Sequence, residues 1–165
     1  MVLGHRFPVE SIGELPLSPH LTNLTVTREA NELRLEGIEQ WTELEDLRLD
    51  GRSQFRYLSS ETLRKLRRLT VQSLDDLDLA SPSGASSLKS LDLYHCRLRR
   101  GLEPLTDLPW LKALSLYVLP GDLGDDEAYD LSPLAGLAEL TITLGSDTPV
   151  VGAELFPPER ITRLG

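Results

Sequence analysis

Residues 88–94 read Leu-Lys-Ser-Leu-Asp-Leu-Tyr, and residues 111–117 read Leu-Lys-Ala-Leu-Ser-Leu-Tyr. Both stretches contain the pattern L-x-x-L-x-L, which recurs along most of the chain with Val or Ile allowed at the ends. Its copies are Leu21-Leu24-Val26, Leu44-Leu47-Leu49, Leu66-Leu69-Val71, Leu88-Leu91-Leu93, Leu111-Leu114-Leu116 and Leu137-Leu140-Ile142, with a partial copy at Ile161-x-x-Leu164. The recurrence indicates a chain built from one repeated structural unit.

The spacing of these copies predicts a sheet. The second leucines of successive copies, from Leu24 to Leu164, lie 22 to 26 residues apart. Side chains of a strand alternate between its two faces, so the second and third apolar positions of each copy point the same way. One copy cannot bury its apolar row alone, and stacking against neighbours is required. We therefore expect one short strand per copy in a parallel sheet, covered on its apolar face by the returning segments.

The motif and its spacing over residues 21–164 resemble those of the leucine-rich-repeat family. The resemblance implies an α/β solenoid with a curved parallel β-sheet on the concave side and short helices, turns or extended segments on the convex side. We expect an irregular N-terminal cap over residues 1–20 and a leucine-rich-repeat domain over 21–165, with about six full repeats plus one partial. The family's interior Asn or Cys, three residues after the last motif leucine, is matched only by Cys96.

The segments between the motifs differ from one another. Short helices or helical turns are predicted over 59–66, 105–109 and 131–137, where hydroxyl caps or prolines stand near an end. The apolar pairs at 33–35 and 77–79 predict extended segments on the convex side. Residues 120–130 lengthen one repeat, and we expect them to form an exposed loop.

Two of these segments carry a narrower resemblance. Residues 102–111 (Leu-Glu-Pro-Leu-Thr-Asp-Leu-Pro-Trp-Leu) and 131–137 (Leu-Ser-Pro-Leu-Ala-Gly-Leu) are similar to the C-terminal repeats of bacterial, especially actinobacterial, NACHT-type signalling ATPases. That resemblance implies a sensor or autoinhibitory segment whose parent supplies the ATPase module elsewhere. This chain would then be a C-terminal segment or a free-standing relative.

Composition favours a cytoplasmic protein that binds protein. There are 26 acidic and 17 basic residues in 165, a formal net charge of −9, and such a field repels phosphate backbones. We therefore expect no nucleic-acid partner. The single cysteine excludes an intrachain disulfide and favours a reducing compartment. The first residues lack the apolar run of a signal peptide, and we expect no membrane association.

No pattern in the sequence predicts catalysis, a metal or a cofactor. His95 and Cys96 pair a base with a thiol, but adjacent strand residues point to opposite faces, so Cys96 is interpreted as an interior residue. The acidic residues between 122 and 130 lack the spacing of a calcium loop, and we interpret them as a solvated loop. We expect the chain not to be an enzyme.

The outward residues of the strands form the candidate binding surface, and its predicted partner-binding residues are Tyr94, Tyr117, Arg48, Arg68, Asp92, Asp46 and Asp50. Tyr94 and Tyr117 should lie side by side on neighbouring strands. Tyrosine and arginine are enriched at binding hot spots, although tyrosine also favours exposed strand positions without any partner. The sequence therefore predicts a non-catalytic, ligand-sensing protein-binding module. The alternative is a structural solenoid that mediates packing or self-association.

Overall fold

The computed structural model describes residues 1–3, 11–16, 18, 20–27, 36–50, 65–74, 77, 87–119, 123 and 127–165. The strands are β1 Val2–Leu3, β2 Asn23–Val26, β3 Asp46–Asp50, β4 Arg68–Gln72, β5 Ser90–Tyr94, β6 Ala113–Tyr117, β7 Tyr129–Asp130, β8 Thr141–Leu144, β9 Val150–Val151 and β10 Ile161–Arg163. The short 3₁₀ helices are Ile12–Glu14, Ile38–Gln40, Glu103–Asp107, Ser132–Gly136, Ala153–Leu155 and Pro158–Arg160.

Eight strands form one parallel sheet in the order β1-β2-β3-β4-β5-β6-β8-β10. Each is paired with the next strand of the sheet along the chain, and equivalent motif positions face each other. The second motif leucines of neighbouring copies are paired directly, Leu47 with Leu69 and Leu91 with Leu114 among them. The prediction of an α/β chain with a parallel sheet and short helical turns is therefore confirmed.

Backbone hydrogen bonds fix this register in the same way at four successive steps. The carbonyl oxygen of Arg67 accepts from the N–H groups of both Lys89 and Ser90, at 2.8 and 3.0 Å. The carbonyl oxygens of Thr22, Glu45 and Lys89 each accept from two consecutive N–H groups of the following strand's start. A one-residue slip would turn every apolar side chain to the opposite face, so the leucine pattern and these bonds enforce the same register.

The core lies between the sheet and the returning segments. The second and third motif residues of β2 to β6 are fully buried, with exposed fractions of 0 or 1%. Leucines from the returns, including Leu105, Leu108 and Leu134, pack against them in one hydrophobic cluster. Each layer contributes a few leucines and depends on both neighbours for burial, which explains the small aromatic content of the chain.

Two returning segments form helical turns, one within the predicted 131–137 and one that begins two residues before the predicted 105–109. Glu103–Asp107 and Ser132–Gly136 are 3₁₀ helices, each with proline at the start, Pro104 and Pro133. Proline is tolerated there because the first N–H groups of a helix have no partner within it. The predicted turn over 59–66 and the pair 33–35 lie wholly or mostly outside the described residues.

A second, shorter line of parallel pairing runs along the opposite side. Leu77 bridges Leu98, and β7 pairs with β9 through Tyr129 and Val150. Leu77 is thus extended as predicted, while Leu79 lies outside the described residues. The exposed loop predicted over 120–130 is partly wrong, because Tyr129 belongs to a strand and both Leu123 and Tyr129 are buried. Their apolar side chains complete the core on this side.

The register predicted for the sixth copy is wrong. Ala113 pairs with Thr141 and Leu114 with Ile142. The inward pair is therefore Ile142 and Leu144 instead of the predicted Leu140 and Ile142, a shift of two residues. The reason lies in the preceding turn. The N–H of Leu140 donates to the carbonyl oxygen of Leu137, just as the N–H of Leu111 donates to that of Leu108. Leu140 is therefore equivalent to Leu111, the first residue of its motif copy. Only one residue separates Leu140 from the second motif position, Ile142, where the other copies have two.

The two edge strands of the sheet also differ from expectation. Residues 1–20 were predicted as an irregular cap, yet Val2–Leu3 pairs with β2. In β10, Ile161 rather than Leu164 lies beside Ile142. The guanidinium of Arg160 donates to the carbonyl oxygens of Leu140 and Leu137 at 2.8 and 2.6 Å. These bonds satisfy backbone groups at the end of the core.

Candidate functional site

The outward face of the sheet consists of the strand side chains that point away from the core. Three lines of residues cross it, each joining equivalent positions of neighbouring strands. The first is Asn23, Asp46, Arg68, Ser90, Ala113 and Thr141; the second is Thr25, Arg48, Thr70, Asp92, Ser115 and Thr143; the third is Asp50, Gln72, Tyr94 and Tyr117. All three lines are dominated by polar or small side chains.

Tyr94 and Tyr117 form a stacked pair on this face. Their ring centroids are 4.5 Å apart and their planes differ by 2°. The separation is close to the spacing of neighbouring strands, about 4.8 Å, so the backbone register itself sets the stack. The prediction that these two rings lie side by side is confirmed.

Charged groups flank the Tyr94 side of the pair. Arg48 reaches across from β3 and donates to the side-chain oxygen of Gln72 at 3.4 Å, and Gln72 pairs with Tyr94. Partial burial raises the pKa of the Tyr94 phenol, and the nearby Asp92 carboxylate raises this pKa further, against a smaller lowering by Arg48. Tyr94 is therefore a neutral phenol at pH 7, able to donate a hydrogen bond.

The predicted site residues fall into two groups. Tyr94 and Tyr117 form the stack, and Asp92 and Arg48 are close enough to influence Tyr94 electrostatically. Asp46, Arg68 and Asp50 form the second group: Asp46 and Arg68 belong to the first line, at the opposite end of the strands, and Asp50 is separated from Tyr94 by the strand that carries Gln72.

On the other side of the pair, the structure opens into a cavity of about 360 Å³. Its walls include both tyrosines, together with His95, Leu119 and Asp147; the remaining lining residues are Val118, Gly145, Ser146, Thr148, Leu164 and Gly165. Leu119 is 54% exposed and Leu164 is 45% exposed, whereas the motif leucines of the strands are buried. The cavity joins an aromatic surface, exposed apolar atoms and a carboxylate.

Gly145 keeps this cavity open. It follows Leu144 and lies beside Tyr117, where a Cβ would stand 3.3 Å from Cδ1 of the Tyr117 ring and 3.0 Å from Oγ1 of Thr148. Aligning the predicted copy Leu137-Leu140-Ile142 with Leu111-Leu114-Leu116 would put Thr143 beside Tyr117, but the observed register places Thr143 beside Ser115. The cavity residues after β8 were missed because the sixth copy was aligned two residues early.

The buried Thr148 anchors the segment that forms the cavity floor. Its hydroxyl accepts from the N–H of Val118 at 3.1 Å and lies 3.1 Å from the carbonyl oxygen of Leu116 as a donor. Cys96 occupies the corresponding interior position earlier in the sheet, with its Sγ 3.4 Å from the carbonyl oxygen of Val71. A polar interior side chain therefore ties each of these turns to the strand before it.

The described residues do not assemble the alternative chemical sites. His95 is exposed while Cys96 is 1% exposed, so the two side chains point apart as predicted. Of the acidic cluster, the described members are engaged locally: Glu127 pairs with Arg97 at 3.5 Å, and Asp130 accepts from the N–H of Ser132 at 2.9 Å. No group of three or more potential metal ligands occurs among the described residues.

A larger cavity of about 540 Å³ lies beside β7, and both residues of that strand, Tyr129 and Asp130, line it. Arg97, Arg100, Glu127 and Asp130 line it, so its walls carry charges of both signs. Residues 120–122 and 124–126, beside it in sequence, lie outside the described part of the chain.

Within the described ranges, no helix has the length and apolarity needed to span a bilayer. Comparison of the chain with protein-family models, with curated proteins and with solved structures finds no match.

Proposed function

We propose that this chain is a leucine-rich-repeat solenoid whose outward face is concave and binds a partner protein. Support comes from the repeat spacing and the pairing: five successive second motif leucines, from Leu24 to Leu114, are neighbours in one parallel sheet. A chain that returns to the same register after every 22 or 23 residues makes one turn of a coil per repeat.

The stack of Tyr94 on Tyr117 beside an open cavity is the observation that carries the binding proposal. Strand propensity accounts for tyrosine at either position, but it does not account for the cavity next to the ring. Rigid aromatic side chains next to a pocket are the usual anchors of protein interfaces. Arg48 and Asp92 flank the pair and supply polar contacts around it.

The cellular context is a separate proposal. We infer a cytoplasmic, bacterial protein that acts as the sensor segment of a NACHT-type signalling ATPase. Its support is the sequence resemblance of residues 102–111 and 131–137 together with the lone buried thiol of Cys96. Sequencing the flanking gene tests it: an upstream G-x-x-x-x-G-K-[ST] motif supports the proposal, and a different module in its place contradicts it. No catalytic step, metal or cofactor is assigned to the chain.

Site-specific photo-crosslinking in the native cells tests the binding proposal. A photoreactive phenylalanine analogue at Thr143, on the outward face beside Ser115, should give a covalent adduct with one discrete protein. The adduct should disappear when Tyr94 and Tyr117 are both changed to alanine. The matched control is the same analogue at Glu103, exposed on the helical side. Adducts from Glu103 alone, or adducts from Thr143 that survive the double change, would contradict the proposal.

Self-association is the second candidate, favoured by exposed apolar side chains at both edges of the sheet, Val2 at one edge and Leu164 at the other. Light scattering over a range of concentrations separates the two. A monomer that still gives the Thr143 adduct supports partner binding, whereas a stable oligomer that crosslinks only to itself supports assembly.

A further inference from the structure

The tyrosine pair has an open third position. Tyr94 and Tyr117 are stacked at 4.5 Å along the direction in which the strands follow one another. One further strand spacing leads to Gly145, the residue after β8, which offers no side chain; a Cβ there would stand 3.3 Å from the Tyr117 ring. Tyr117 and Gly145 both line the cavity of about 360 Å³. A flat group from a ligand fits this position as the next member of the stack.

The lining defines which flat group fits best. Leu119 and Leu164 supply apolar walls, and Asp147 supplies a carboxylate. The hydroxyl of Ser146 donates to Oδ2 of Asp147 at 2.9 Å, which orients that carboxylate. A guanidinium is planar, stacks on aromatic faces and presents a fork of N–H donors to a carboxylate. An ammonium group is not planar and cannot stack in this way, and a neutral aromatic ring has no charge to pair with the carboxylate.

The neighbouring cations are compatible with this assignment. Nη1 of Arg163 donates to the carbonyl oxygens of Ser146 and Thr148, both at 3.2 Å, and Arg163 does not line the cavity. Arg48 lies on the opposite side of the stack, beside Gln72. The chain as a whole has a formal net charge of −9, which attracts a cationic ligand from a distance.

We propose that this cavity receives the guanidinium of an arginine in an extended segment of the partner, stacked on Tyr117 and paired with Asp147. The inference deepens the proposed function and rests on it. An arginine places one planar, charged group at the end of a long side chain, so the partner backbone can run along the outward face while the guanidinium enters the cavity.

Titration of the full chain with acetyl-Gly-Arg-Gly-amide, followed by the backbone NMR signals of Gly145 and Ser146, tests the proposal directly. Saturable shifts at millimolar peptide are expected. Replacing arginine by citrulline in this peptide keeps a planar group but removes the positive charge. Replacing arginine by lysine keeps the positive charge but removes the planar group. Both altered peptides should bind at least about threefold more weakly than the arginine peptide.

Variants locate the effect. Tyr117→Ala should weaken arginine-peptide binding about fivefold, and Asp147→Asn about threefold. Glu154→Gln removes the same charge from an exposed position outside the cavity and should leave binding unchanged. No saturable shift up to about 10 mM peptide, a phenylalanine analogue that binds more tightly, or equal affinity of the Asp147→Asn protein would each overturn the arginine assignment. These outcomes are distinguishable from failure of the proposed function, because the Thr143 crosslink reports partner binding independently.

Discussion

The hydroxyl of Thr148 joins the segments that follow β8 and β6 by accepting the N–H of Val118, at a distance of 3.1 Å, inside the core. Thr148 is 1% exposed, so this N–H has no access to water. The same hydroxyl donates to the carbonyl oxygen of Leu116, also at 3.1 Å. One side chain thus bonds two backbone groups at the end of β6 and holds the floor of the tyrosine cavity.

Changing Thr148 to Val should therefore destabilise the protein by about 1–3 kcal/mol. Valine has nearly the same shape but leaves the Val118 N–H buried and unpaired. Chemical denaturation measures the loss. Thr148→Ser is the matched control: it keeps the hydroxyl and should retain more stability than Thr148→Val. A serine variant that is less stable than the valine variant would show that the methyl group, rather than the hydrogen bonds, matters at this position.

Gly145 should tolerate no side chain. A Cβ there would stand 3.0 Å from Oγ1 of Thr148, which its hydrogen bonds hold in place, and 3.3 Å from the Tyr117 ring. We expect Gly145→Ala to cost about 1–3 kcal/mol through overpacking. Gly136→Ala is the control, because nothing lies within 4 Å of a Cβ at Gly136. Equal melting temperatures for the two variants would contradict the close packing around Gly145.

The periodic part of the structure could be predicted from the sequence. The leucines at 47, 69, 91 and 114 occupy fixed places in the motif, and the alternation of a strand then decides which neighbours point outward. That alone was sufficient to place Tyr94 beside Tyr117. The 3₁₀ turn that contains Pro133 was equally accessible, because proline marks the start of a helical turn. The turn at Glu103–Asp107 was predicted two residues late, because Pro104 was not used as its start.

The cavity could not be predicted, because it lies where the repeat is irregular. Leu137 and Leu140 have the spacing of the first and second motif positions. In the structure, Leu137 belongs to the preceding turn and Leu140 occupies the first motif position. Only the pairing of Ala113 with Thr141 reveals the missing residue. The sequence does contain a signal for this missing residue: the two proline-containing turns, residues 102–111 and 131–140, can be aligned with each other, and the alignment makes Leu140 equivalent to Leu111.

Ionisation of Tyr94 should occur at higher pH than that of an ordinary tyrosine. Burial and the Asp92 carboxylate raise its pKa, since both disfavour the phenolate. The folded chain therefore holds this proton after the unfolded chain has released it. The contribution of this proton to the free energy of unfolding is fully present below the unfolded pKa of about 10 and is lost as pH rises through the folded pKa.

Ultraviolet titration of the native chain and of Tyr94→Phe measures this shift. The difference between the two curves isolates Tyr94 and should have its midpoint above that of a free tyrosine. Asp92→Asn should lower the midpoint, because the anionic neighbour is removed. A midpoint at or below the value for free tyrosine would contradict the placement of Asp92 and the burial of the ring.

The thiol of Cys96 should be unreactive in the native protein. Its side chain is 1% exposed and its Sγ contacts the carbonyl oxygens of Val71 and Tyr94. A thiol-reactive aromatic disulfide should label the native chain far more slowly than the chain unfolded in guanidinium, which serves as the positive control. Native labelling at the unfolded rate would place Cys96 on the surface and reopen its pairing with His95.

The affinity of the crosslinked partner for the Tyr94→Ala/Tyr117→Ala protein tests the central claim most directly. Two hot-spot residues, each contributing about 2 kcal/mol, predict a loss of affinity of roughly a thousandfold. Thermal unfolding should show the same fold, because both rings are only half-buried. The Tyr94→Phe/Tyr117→Phe protein keeps the stack and should retain most of the affinity. Unchanged affinity in the folded double-alanine protein would contradict the account.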